Sequence, residues 1–209
     1  MEFKRMTKAK IDISTEEKLK EAARTVFTRK GYAATTVRDI AAEANINLAL
    51  VNYYFRSKEK LFDLIMAETI QKLFDKIQKI INDESSTLTE KIENVADHYI
   101  SLLLENPELP LFFLSEVMSG SNQLNSMTDN GKMFFNSHFV KQLAALQIEG
   151  KIKFHPVNLM MNMIGMIVFP FLARPLLLKS GVLSEQQFRA IVEERKKLIP
   201  LWLMQMINL

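Results

Sequence analysis

The sequence predicts an all-α protein of about nine helices, on three observations. Apolar residues recur at i, i+3, i+4 spacing through most of the 209 residues. Helix-starting residues stand ahead of these runs at Ser14, Thr36, Asn47, Ser57 and Ser184. Gly31, Gly150, Pro107, Pro110 and Pro156 fall between the runs, where one helix stops and the next begins. Hydrophobic residues make up 48% of the chain, enough for a sizeable core. Cysteine is absent, which excludes disulfides, a thiol nucleophile and a thiolate metal site, and fits a reducing cytosol.

Residues 1–12 hold Lys4, Arg5, Lys8 and Lys10 with little apolar periodicity, and are expected to form a flexible basic arm. They lack the apolar core of a secretory signal. The first helix is expected from Ser14, with Glu17 completing a capping box, an apolar stripe of Leu19, Ala22, Ala23, Val26 and Phe27, and Gly31 at its end. Residues 1–60 carry 13 Lys/Arg against 8 Asp/Glu, whereas residues 61–209 carry 14 against 16. The positive excess lies in the first part, where it suits a polyanionic partner.

The stretch Thr35–Phe62 then reads as two short helices around a tight turn, followed by the start of a fourth helix. Thr36 and Asp39 form a capping-box pair, and Ile40, Ala41 and Ala44 share one face. Asn45 tolerates left-handed backbone and ends the helix, with Ile46 expected under the turn. Asn47 caps Leu48–Phe55, and Ser57 caps the fourth helix, with Glu59 in its first turn. This is a helix-turn-helix, whose second helix is the usual reader of the major groove. With Val51 and Phe55 on the core face, roughly 100° per residue turns Ala49, Asn52 and Tyr53 outward, with Leu48 and Leu50 at the edges.

The run Gly31-Tyr32-Ala33-Ala34-Thr35-Thr36-Val37-Arg38-Asp39-Ile40-Ala41, then Tyr53-Tyr54-Phe55 and Lys58-Glu59-Lys60-Leu61-Phe62, resembles the TetR family of bacterial transcriptional regulators. The likeness covers about residues 13 to 66; the remainder matches in length and helical character. It implies a cytoplasmic homodimer that binds a palindromic operator in double-stranded DNA and is released by a small apolar or amphipathic molecule. It implies that Thr36, Arg38, Tyr54 and Lys58 hold phosphates while Asn47, Leu48, Ala49, Asn52 and Tyr53 approach bases. Lys58→Ala should then weaken binding to all sequences and flatten its salt dependence, and Asn52→Ala should relax preference at one position. Two departures stand out: Asn45 replaces the family's usual turn glycine, and Asn52 stands where Tyr is common, which alters a DNA contact.

The organisation expected is 1–12 arm, 13–60 DNA-binding domain, and 61–209 ligand-binding and dimerisation domain. A long helix from Ser57 to about Asn82 is followed by a polar break at Asp83–Thr87 and a helix over Thr89–Glu105 with Ile92, Val95, Ala96, Tyr99, Leu102 and Leu103 inward. Leu111–Met118 is a short apolar helix, Ser119–Gly131 a polar loop, and Lys132–Gln147 a further helix. Val157–Lys179 is apolar enough to suggest a membrane span, but Asn158, Asn162, Arg174, Pro170 and Pro175 favour a soluble helix buried on two sides and kinked by its prolines. The family resemblance makes it one of two helices per subunit in a four-helix dimer interface. Ser184 caps the last helix, which Pro200 should bend or end.

Nothing in the sequence points to catalysis. His98, His138 and His155 have no metal-ligand spacing, and GxSxG, P-loop and GxGxxG motifs are absent. No metal and no cofactor are expected. A ligand pocket in the second domain would be mostly apolar with a few polar groups. Its candidate lining is His98, Phe112, Phe113, Met118, Phe135, His138, Met163 and Met166, although a Phe or Met on a helical stripe is more often core. The alternative is a DNA-binding scaffold of the same fold that takes no small ligand.

Overall fold

The computed structural model describes residues 2–119 and 134–207, with side chains for 15–118 and 134–207. Among the described residues there are nine α-helices and no strand. They are α1 (Glu2–Ala34), α2 (Val37–Ala44), α3 (Leu48–Phe55), α4 (Lys58–Asn82), α5 (Leu88–Glu105), α6 (Leu109–Ser119), α7 (His138–Ile148), α8 (Pro156–Lys179) and α9 (Glu185–Ile207). The chain divides into two compact units, Met1–Thr69 and Ile70–Leu209, with the division inside α4.

The first unit is built on α1. Its backbone is helical from Glu2, so residues 2–12 are not the irregular arm expected and Ser14 lies within the helix instead of capping it. Gly31 breaks α1 with φ 76°, a conformation that suits glycine. Leu19, Ala23, Val26 and Phe27 of α1 are buried, as are Ile40, Ala41, Val51, Phe55, Leu61 and Ile65 of the next three helices. Phe27 meets Phe62 edge-on at 5.2 Å, and Tyr32 lies 4.6 Å from Phe62. Lys20 and Arg24 both bind the Glu68 carboxylate, and Arg24 also donates to Thr69 Oγ1 at 2.9 Å. These polar ties carry the first unit beyond residue 60, to Thr69.

In the second unit α5 packs against α7, α8 and α9, while α8 also meets α6, α7 and α9. Thr87 and Glu90 cap α5 reciprocally, so this helix begins at Leu88. Ser137 caps α7, which starts at His138; Phe134 and Phe135, before the cap, are helical, so the single helix expected over this stretch is interrupted at 136–137. Residues 120–133 of the expected polar loop and helix start lie outside the described residues. Ser184 and Gln187 cap α9, and that helix runs through Pro200 to Ile207 instead of ending there.

Within a single chain, helix α8 is buried on one side. Leu159, Met163, Ile167 and Phe171 recur every fourth residue and face inward, while Met161, Ile164, Phe169 and Leu176 are exposed. Pro170 has no N–H to give the Met166 carbonyl four residues earlier. Arg195 of α9 takes that carbonyl instead, donating from Nε at 3.2 Å and Nη2 at 2.9 Å. Its guanidinium also lies 5.3 Å from the Trp202 ring centroid. A proline inside α8 is thereby accommodated by a cation on the neighbouring helix.

Candidate nucleic-acid interface

The interface begins at the cap of α2. Thr36 accepts the Asp39 N–H at 3.2 Å, and Asp39 Oδ2 accepts the Thr36 N–H at 2.9 Å and its hydroxyl at 2.8 Å. Lys30 binds the other Asp39 oxygen at 2.8 Å. The Lys30 hydrogen bond, followed by those from Thr36, holds the Asp39 carboxyl well below its ordinary value. A carboxyl lowered on folding contributes stability above its ordinary pKa of 3.8, and loses it as pH falls towards the folded value. The thermal-stability gap between the native chain and Asp39→Asn should therefore narrow as pH drops below 3.8. A constant gap across an acid titration would count against this cap. Arg38 is exposed beside it.

Asn45 ends α2 in the left-handed region at φ 53°, and its N–H reaches the carbonyls of Ala41 and Ala42. Ile46 is half-buried, so the turn covers it less than expected. Asn47 caps α3 by accepting the Ala49 N–H at 2.9 Å. That leaves its amide nitrogen as the group that can donate outward. Val51 and Phe55 are the buried residues of α3. Ala49, Leu50 and Asn52 are exposed, Leu48 and Tyr54 half-buried, and Tyr53 is 75% exposed, its ring edge-on to Tyr54 at 5.4 Å. Two anchors on one side thus present an outer face of methyl, isobutyl, amide and phenol groups, the types that read base edges and thymine methyls.

Lys58 has inward partners. Its Nζ donates to the carbonyls of Tyr32 and Thr35, both at 2.9 Å, and sits 4.2 Å from the Tyr32 ring centroid. The expectation that this ammonium is a phosphate ligand did not foresee these bonds, which join residues more than twenty positions apart.

In the second unit a small cavity of about 90 Å³ opens among α4, α5, α6 and α8. Its lining is Ile70, Leu73, Phe74, Tyr99, Leu103, Leu109, Pro110, Phe113, Ile164 and Val168. Tyr99 is the one hydroxyl-bearing side chain among them, and burial pushes its phenol up to about 12. Of the eight residues expected at a pocket, the structure brings Phe113 to this cavity. Phe112 and Met163 are packed in the core, and Met118 and Phe135 are exposed at 80% and 54%. His98 is half-buried, its imidazole lowered by burial and then by Lys76. Met166 is half-buried, its carbonyl held by Arg195. His138 starts α7 with its N–H on Asn82 Oδ1 at 3.2 Å. The faces of separate helices decide which residues meet, and single-helix periodicity does not register them. Tyr99 could have been found as the polar-tipped aromatic on the inward stripe of α5. Among the described residues no three His, Asp or Glu converge as a metal site.

Fold and site together define a helix-turn-helix protein with a separate all-helical unit. Residues 19–65 match the family described as bacterial regulatory proteins, tetR family. The chain is similar to YttP of Bacillus subtilis, 27% identical over 116 residues that span 55% of this chain and 56% of that one. It is also similar to the HTH-type transcriptional repressor KstR2 of Mycolicibacterium smegmatis, 35% identical over 75 residues, or 36% and 37% of the two chains. These matches thus span about half or less of either relative. The Bacillus subtilis transcriptional regulator FadR, solved in complex with stearoyl-CoA, shares the fold with a TM-score of 0.53 and 19% identity, covering 88% of this chain and 96% of that one.

Proposed function

We propose that the chain is a homodimeric, cytoplasmic transcriptional repressor that reads a palindromic operator in double-stranded DNA through α3. The observation that carries this reading is the outer face of α3, where Ala49, Leu50, Asn52 and Tyr53 stand exposed over the buried anchors Val51 and Phe55. Thr36, Arg38 and Tyr54 flank that face and serve phosphates; Asn47, Leu48, Ala49, Asn52 and Tyr53 serve bases. Two heads related by a two-fold axis engage half-sites about one helical turn apart. The relatives' regulatory names support this role over an enzymatic one.

The effector is an uncharged apolar molecule or the apolar end of an amphipathic one, since the cavity that would admit it is lined by hydrocarbon and one phenol. It acts by favouring a dimer whose heads are wrongly spaced, so that operator affinity falls by population shift. At about 90 Å³ the cavity is smaller than most ligand pockets, which favours as a second reading a DNA-binding scaffold with no small-molecule effector.

Selection of duplexes from a random pool by the purified protein at near-physiological salt tests the central reading. A recovered palindrome with evenly spaced half-sites is the expected result, and Asn52→Ala should then relax preference at one position of each half-site. Retention of DNA without a motif would leave electrostatic binding alone. Failure of folded protein to retain any duplex would sink the assignment of α3 as a reader.

A further inference from the structure

We propose that Lys58 is a positioning residue of the head: its ammonium ties the α1–α2 turn to the start of α4, and so fixes where α2 and α3 meet DNA, without gripping a phosphate itself. The inference rests on the reading that the head binds DNA.

Lys58 is the first residue of α4, the positive end of that helix, where a cation is disfavoured. Its ammonium is instead drawn to acceptors left over by the end of α1. The Tyr32 and Thr35 carbonyls each accept a proton from Nζ at 2.9 Å, and the Tyr32 ring face lies 4.2 Å from the charge. Two of the three ammonium protons are therefore engaged. The two carbonyls bracket the turn that follows Gly31. Within it Thr35 is buried and donates its hydroxyl to the Gly31 carbonyl at 2.7 Å. The next residue, Thr36, is the cap of α2. The Tyr32 ring is itself wedged on Phe62, one turn further along α4. Turning the ammonium out to a phosphate would take a donor from both half-buried carbonyls, leaving Tyr32's with the Thr35 N–H at 3.3 Å, and would uncover the ring, and α2 would lose the tether that precedes its cap.

A phosphate ligand and a positioning residue leave different marks on salt dependence. Each lost phosphate contact lowers the slope of log K against log salt by about one, whereas a misplaced reading face weakens binding at the same slope. The native chain, Lys58→Met and Lys58→Arg would be titrated over a range of salt with the duplex recovered by selection from the random pool, at a temperature where circular dichroism shows each to be folded. The expected result is a loss of about tenfold or more in affinity for Lys58→Met at an unchanged slope, with recovery in Lys58→Arg, whose guanidinium can still donate to both carbonyls. A slope reduced by about one would overturn the proposal in favour of a phosphate contact. Unchanged affinity with a lowered melting temperature would also overturn it, as a purely structural role moves only the latter. Should Lys58→Met not fold, Tyr32→Leu decides, because it removes the ring and leaves the ammonium able to reach DNA. Weaker binding at the same slope supports positioning, and undiminished binding refutes it. A native chain that binds no duplex would overturn both this proposal and the reading beneath it, and the native control distinguishes that failure from the others.

Discussion

Lys91→Met should destabilise the second unit by about 2 kcal/mol and Lys91→Ala by about 4 kcal/mol. Lys91 has no exposed surface. Its ammonium donates to the Asp83 carbonyl at 2.6 Å, the Ser86 carbonyl at 2.6 Å and the Ser86 hydroxyl at 2.8 Å. It thus closes the turn between α4 and α5 from inside. Gln142 of α7 also donates to the Ser86 carbonyl, at 3.2 Å, so three helices meet there. Methionine keeps most of the volume and removes the donors, while alanine adds a cavity to that loss. Two opposing effects limit the methionine figure. Removing a buried ammonium relieves its desolvation, and Asp83 is exposed enough for water to reach its carbonyl. The half-buried Ser86 carbonyl loses one of its two donors and keeps Gln142, while the Ser86 hydroxyl loses the ammonium and still donates to the Asp83 carbonyl at 3.1 Å, so part of the penalty remains. Trp202 of α9 is the single tryptophan, so its fluorescence during urea unfolding at fixed protein concentration reports on this unit. A neutral Lys91→Met would mean that the lysine serves as an aliphatic filler and that its hydrogen bonds contribute nothing net.

Lys91 also shows where sequence reading stops. The reading head was legible because its signals are local. Thr36, Asn47 and Asn45 act on backbone within three or four residues, and the 3.6-residue period separates Val51 and Phe55 from Ala49, Asn52 and Tyr53. The partners of Lys58 lie 23 and 26 positions away, and nothing at Lys58 itself points to them. Lys91 sits next to Ile92 on the stripe of α5, where a lysine reads as solvated unless the turn is known to fold over it. Ser14 and Glu17 make an acceptable capping pair in sequence, yet Glu2–Ala34 is continuous helix apart from Gly31 because no preceding residue stops it. The cavity was the least legible feature. Periodicity marks a face as inward but does not distinguish Phe112, which fills the core, from Phe113, which borders a void.

Phe169→Glu should dissociate the homodimer and, with it, abolish high-affinity operator binding while leaving each subunit folded. The inward stripe of α8, Leu159-Met163-Ile167-Phe171, already serves the subunit's own core. Phe169 lies on the opposite face, 67% exposed, in line with Met161 at 62% and Leu176 at 71%. Leu201 and Trp202 of α9 are exposed as well, at 59% and 36%. A soluble chain rarely leaves so much apolar surface on adjacent helices unpartnered. The same helix is long and apolar enough to cross a membrane by length and composition, but Leu159, Met163, Ile167 and Phe171 are buried within the subunit, and Arg174 is held by Glu185 at 2.7 Å. Under the dimeric reading proposed above, a second copy of the chain would cover the exposed side. In a two-fold interface every substitution occurs twice, so losing about 2 kcal/mol of phenyl burial per copy weakens association roughly a thousandfold, before the desolvation of two carboxylates is added. Sedimentation at micromolar concentration should show a dimer for the native chain and a monomer for Phe169→Glu. Glu194→Ala, an exposed change on α9, should leave the dimer intact. If Phe169→Glu remains dimeric and still binds the selected duplex, the subunits associate through some other face, and the exposed stripe of α8 needs a different partner.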